Sequence, residues 1–215
     1  MPQTSQVFSQ RTWPGAGDLD DCWVLSAIQA ANVTAPWLVL PTVTTFRAAA
    51  GDPDDGIADG GSLAEIVKGS EGVWPVLRGK LAVLDGVPYS AIIDIARKGH
   101  PVSVALQLGK LPPALRYTSS NVPHQSTLFW YPGPNGFLYF ANPMAPAYSP
   151  WDRTTWAALQ PAIEGIYGAG KCKAVAYPTE WAALALHPGE SQLLAATWNA
   201  ALDTAGKAVA AVPRR

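Results

Sequence analysis

DLDDCWVLSAIQAAN, residues 18–32, is the stretch on which the fold turns. From Asp21 onward it is apolar nearly all round, through Trp23, Val24, Leu25, Ala27, Ile28, Ala30 and Ala31. That pattern predicts a helix enclosed by other elements rather than one lying on a surface. Asp18 or Asp20 is placed to cap its start. Cys22 then falls in the first turn, where it either fills core or acts as a nucleophile. A lone cysteine in an apolar helix is more often core. Thiolate is nevertheless the reactive form of sulfur, and a helix N-terminus stabilises it.

The acids before the cysteine bear on that choice. Two carboxylates roughly 6 Å from a thiolate repel it by about 3 kcal/mol each at an effective dielectric of about 20, and by about 0.7 kcal/mol in water. A reactive Cys22 therefore requires Asp20 and Asp21 to be solvated, to cap the helix, or to be neutralised by a cation such as Arg11. One of them, Asp21, is also a candidate for positioning a substrate.

The totals narrow the classes of function. The chain has 215 residues, 48% hydrophobic and 14% charged, enough apolar material for one globular domain with an appendage. A net charge of -1, a pI of about 6.3 and no run of Lys or Arg give no footprint for nucleic acid or an anionic membrane. The opening MPQTSQVFSQRTW has neither the basic start nor the apolar centre of a secretion signal, and no apolar stretch reaches the length of a span. The expectation is synthesis in the cytoplasm, with no membrane partner. Two widely separated cysteines make no zinc framework, and such sparse usage suits a reducing compartment, so a Cys22–Cys172 disulfide is not expected.

Along the chain, residues 1–16 read as an extended arm, 17–178 as the main domain, and 179–215 as a linker and C-terminal helix. GDPDDGIADGG, 51–61, is loop by composition; its acids lack the spacing and terminal Glu of a calcium loop. Ser62 to Glu65 has the form of a capping box opening a helix. A helix is expected from Tyr89 to Lys98, stopped by Gly99 and Pro101, then a buried strand over 102–108. Residues 151–167 read as helix and 173–178 as a strand. The stripe Leu194, Trp198, Ala201, Leu202, Ala205 marks an amphipathic helix over 191–212, which docks on its own domain or on a partner. GIYGAGKC, 165–172, nearly matches a phosphate-binding loop, but Cys172 stands where that motif needs a hydroxyl, and a helix precedes it where a strand should. The result is an α+β domain with a mostly antiparallel sheet.

The sharpest inference comes from a hairpin. STLFWY, PGPNG and FLYFAN follow one another over 126–142, two β-rich runs around a turn. With the turn centred near Pro134, facing residues sum to about 268, which sets Asn142 opposite Ser126 and diagonal to His124. Diagonal neighbours have Cβ atoms roughly 7–8 Å apart, a gap that an imidazole and an amide can bridge. Cys22, His124 and Asn142 are then the parts of a nucleophilic site: sulfur attacks, His124 takes and returns its proton, and Asn142 fixes the ring. His100 and His187 are the rival bases, and each precedes a proline where a solvated loop histidine is the ordinary reading.

DCWVLSAIQAA, GGSLAEIV, ARKGHPVSVAL, PHQSTLFWY and FLYFANPM, in this order, resemble the papain-like cysteine peptidases related to the bacteriocin-leader-processing family, which also occur in actinobacteria and their phages. The resemblance covers roughly 17–177. It implies a papain-like fold with a buried N-terminal helix on the sheet, Cys22 as nucleophile, His124 as base and Asn142 as the orienting residue, with no cofactor. Ala16 stands where the family has an oxyanion-hole Gln, which leaves the Cys22 N–H with Gln10 or a protonated Asp18 as substitute donors. The implied activity is peptide hydrolysis through a thioacyl-enzyme, on a peptidoglycan cross-bridge or a viral protein. The other readings are a virion component that kept the fold without turnover, and thiol acyl transfer or amidase chemistry at the same residues.

Overall fold

The structure is a computed structural model that describes residues 7–13, 21–36, 38–51, 62–131, 136–146, 149–166 and 171–179. Asp18, Asp20, Ala16, His187, most of the 51–61 loop and the stripe over 191–212 lie outside these residues.

The enclosed helix is α1, Cys22–Thr34. Every residue of it but Val33 is buried, as an apolar circumference demands. Two shorter helices pack beside it, α2 (Val43–Ala50) and α3 (Leu63–Val73). Ser62 opens α3 with the expected capping box: its hydroxyl accepts from the Glu65 N–H while the Glu65 carboxylate accepts from the Ser62 N–H.

The sheet begins with β1 (Ala82–Pro88), followed by α4 (Tyr89–Arg97) and β2 (Val102–Gln107). A single turn, α5 (Pro113–Arg116), leads to the hairpin of β3 (Pro123–Tyr131) and β4 (Phe137–Ala141). Then come β5 (Asp152–Thr154), α6 (Trp156–Glu164) and β6 (Lys171–Ala176). All pairings are antiparallel, in the order β1-β6-β2-β3-β4-β5. The last strand thus inserts between the first two.

Alternation along each strand divides the core. Val102, Val104, Leu106, Leu128 and Phe140 join α4 and α6 on one face. Val175 and Tyr177 join α1, α2 and α3 on the other, where the Tyr177 hydroxyl is bonded to Ser70 Oγ at 2.8 Å. The α+β class and antiparallel sheet stand as read from the sequence.

Three readings differ. Residues 151–167 do not form one helix: Asp152–Thr154 pair with β4, and the helix starts only at Trp156, because the Thr155 hydroxyl accepts from the Ala158 N–H and caps it there. The described part of the arm, 7–13, is fastened to the domain. Val7 N–H donates to Ser149 O at 2.8 Å, Gln10 N–H to Pro143 O at 3.0 Å, Ser9 Oγ to Ala145 O at 2.7 Å, and Phe8 N–H to Gln29 Oε1 on α1 at 2.7 Å. His100 is 2% exposed, not a solvated loop residue; its Nδ1 accepts from the Thr179 N–H at 3.2 Å.

Candidate functional site

Cys22 is the first residue of α1 and is 4% exposed. Ser26, one turn further on the same face, holds the helix to the sheet through a directed chain of hydroxyls. Thr127 Oγ1 donates to Ser26 O at 2.9 Å, so its lone pairs receive the Ser26 hydroxyl at 3.0 Å. With its proton so placed, Ser26 Oγ accepts from Ser103 Oγ at 2.8 Å, which in turn accepts from Gln125 Nε2 at 3.0 Å. The thread ties α1 to β2 and β3 one turn below the thiol, and in a buried setting each bond also prevents the cost of an unpaired polar group.

Asp21 is 3% exposed and makes no side-chain cap to α1. Its carboxylate pairs instead with Arg47 on α2, Oδ1 to Nη2 at 3.0 Å. The cation that pairs with the acid preceding the cysteine is therefore Arg47; Arg11, the sequence candidate, lies exposed on the arm.

His124 sits near the start of β3, 4% exposed. The β3–β4 pairing has Thr127 opposite Ala141 and Leu128 opposite Phe140, the register in which facing residues sum to 268. Asn142 follows β4 directly, and its Oδ1 lies 2.9 Å from His124 Nε2. The amide is oriented by two further bonds: Nδ2 donates to Leu115 O at 2.8 Å, and Oδ1 accepts from the Met144 N–H at 2.9 Å. Since Oδ1 is the atom facing the ring, Nε2 must carry the proton and Nδ1 holds the lone pair. Burial lowers the ring's pKa from 6.5 to about 4, with the Asn142 bond opposing part of that shift. At neutral pH it is an uncharged base of defined tautomer.

Cys22 and His124 line one cavity of about 1160 Å³, together with Trp23, Ala105, Pro123 and Gln125. Gln10 and Asp21 are not among the residues lining it. Gln10 is held through its backbone beside Pro143. The second cysteine differs from the first: Cys172 is fully buried in β6, not disulfide-bonded, and pushed up to about 12 by burial, with the Glu164 carboxylate adding to the shift. Such a thiol is inert near neutral pH.

Among the described residues, no group of three or more His, Cys, Asp or Glu is placed to hold a metal ion, and no helix is long and apolar enough to cross a membrane. Sequence reasoning missed Arg47 and the Ser26–Ser103–Thr127–Gln125 thread. Lone hydroxyls inside the apolar runs CWVLSAI and VSVAL were the available signal for the thread; nothing local marked Arg47. No protein-family model matches the chain, and a search of curated proteins found no match.

Proposed function

We propose that the chain is a papain-like cysteine peptidase, with Cys22 as nucleophile, His124 as general acid–base and Asn142 as the residue that orients the ring. One observation carries this reading: a cysteine at a helix N-terminus shares a cavity with a buried histidine whose tautomer is fixed with Nδ1 as the basic nitrogen.

The chemistry follows from those atoms. The Cys22 thiol gives its proton to Nδ1 as sulfur attacks the scissile carbonyl, and the thiolate and imidazolium stabilise each other while the helix N-terminus favours the negative charge. The tetrahedral oxyanion is placed to accept from the Cys22 N–H. Its collapse breaks the C–N bond as Nδ1 protonates the leaving amine, leaving a thioacyl-enzyme. Water, deprotonated by the neutral ring, then releases the acid and restores the thiol. The substrate class consistent with the resemblance is a peptidoglycan cross-bridge or a viral structural protein, in a phage-like setting. The same residues would serve an amidase or acyl transferase.

A structural, non-hydrolytic version of the fold is the second reading. Ala16 in place of the usual oxyanion Gln favours it, since loss of one oxyanion donor costs about 10²–10³ in rate.

The deciding experiment is labelling with a peptide bearing a thiol-directed electrophile, followed by intact-mass measurement. The enzyme reading expects one adduct, mapped to Cys22, abolished in Cys22→Ala and strongly slowed in His124→Ala. Labelling no faster than a free thiol, or undiminished without His124, defeats it. Release of peptide fragments from purified peptidoglycan by the wild type alone identifies a wall hydrolase.

A further inference from the structure

Among the residues lining the Cys22 cavity, four form a row running across four strands. Ala105 on β2 lies directly opposite Gln125 on β3. Continuing the Val104–Ala174 pairing by one residue brings Ala105 beside Lys173 on β6, and Lys173 is directly opposite Asp85 on β1. All four line the cavity. The row exists because β6 enters between β1 and β2, so it joins residues from four distant parts of the chain. Strands lie about 4.8 Å apart, which puts Lys173 roughly 10 Å and Asp85 roughly 14 Å from Gln125, the neighbour of His124 along β3. An extended peptide rising about 3.3 Å per residue covers the first distance in about three residues and the second in about four.

The chemistry along the row is graded. Next to the thiol it is uncharged: the Gln125 amide, already bonded to Ser103, and the Ala105 methyl. Charge begins at Lys173. The wall above is α3, and the carboxylates of the cavity are each held by a donor of the protein: Glu65 by the Ser62 N–H, Glu71 by the Gly79 N–H at 2.8 Å, and Asp85 by Lys173 at a loose 3.6 Å. Two of the three cations are less engaged. No hydrogen bond or ion pair among the described residues engages the side chain of Lys68 on α3 or of Arg78, both of which line the cavity. The groove is therefore balanced in formal charge yet carries its unengaged donors on the positive side.

We infer that this groove selects an acidic peptide, with uncharged residues over Gln125 and Ala105 and a carboxylate about three residues from the reacting carbonyl, received by Lys173, with Lys68 and Arg78 also lining the cavity. The carboxylate displaces the long Asp85 contact and forms charge-assisted bonds. The inference builds on the peptidase reading but is tested through binding alone.

The probes are fluorescein-labelled octapeptides of Ala and Gly carrying a single Glu, Gln or Lys scanned along the chain, titrated by anisotropy into the full-length Cys22→Ala variant. At one position the Glu peptide should bind at least ~10-fold more tightly than the Lys peptide, and the difference should shrink with added salt. Lys173→Met should erase the difference and Lys173→Glu should invert it. The Lys173 side chain is 33% exposed, so both variants should retain the parent's thermal melt. Equal binding of Glu and Lys peptides, indifference to Lys173→Glu, or no binding of any peptide overturns the inference. If the binding order holds while wild type cleaves nothing, the peptidase reading fails and the acidic-peptide site stands. Cleavage without charge preference is the reverse outcome.

Discussion

At the scale of single residues, the peptidase proposal turns on the charge one position before Cys22. Asp21 would raise the thiol pKa if left unpaired, and the Arg47 guanidinium at 3.0 Å cancels that field. Asp21 turns to Arg47 and makes no side-chain cap to α1. The buried pair is expected to behave as a unit. Arg47→Met should cost about 3–5 kcal/mol by stranding a buried carboxylate, and should move the pH midpoint of Cys22 alkylation upward by about one to two units. Asp21→Asn/Arg47→Met, which removes both charges, should restore most of the stability and bring the midpoint back. A midpoint unmoved in the single variant, read from iodoacetamide rates against pH, would show that Arg47 has only a structural role. The same scale explains His124: two bonds to Asn142 from outside the pair decide which ring nitrogen holds the proton.

At the scale of elements, α3 forms the wall of the groove and leans on α2 through glycines. A methyl added at Gly69 would meet the Phe46 ring, and one at Gly72 would meet the Ala49 methyl. Ala is the better helix former by about 1 kcal/mol, whereas overpacking a close helix contact costs about 1–3 kcal/mol. Phe46 is fully buried, with its ring edge-on to both Trp23 and Trp74, and has no room to withdraw. The overpacking should win: Gly69→Ala is expected to lower stability in urea by about 1–2 kcal/mol, and a stabilised variant would contradict the packing described. Such elements were legible in advance where one segment carried its own signal. The capping box at Ser62 and the hairpin register needed only neighbouring residues. The start of α6 was misplaced because Trp151 keeps helical spacing with Leu159 and Ala162, and only pairing of Asp152–Thr154 with β4 takes those residues out of the helix.

At the scale of the whole molecule, burial of two histidines couples folding to pH. His124 and His100 are both lowered from 6.5 to about 4, chiefly by burial, with Lys98 adding to the effect at His100. Between about 4 and 6.5 the unfolded chain binds these protons and the folded chain does not, so stability rises with pH across that window. It should be complete above pH 6.5, fall as the solution is acidified, and level off below 4, with His124 alone contributing up to about 3 kcal/mol. Asp152, whose carboxyl is raised by burial against its Tyr117 bond, works in the opposite direction. Urea unfolding at pH 7.5, 5.5 and 4.5 measures the slope; equal midpoints at the three values would show that the rings are hydrated.

The sequence by itself determined α1, the β3–β4 register that brings His124 and Asn142 together, and the antiparallel α+β class. Each follows from a backbone period or turn acting within one continuous segment. Only the tertiary structure decided that Arg47 neutralises Asp21, that His124 is buried and weakly basic, and that Gln125, Ala105, Lys173 and Asp85 align. Those depend on which apolar faces meet and on β6 entering between β1 and β2. Many packings satisfy the same local pattern, and burial and charge neighbours are properties of the packing adopted.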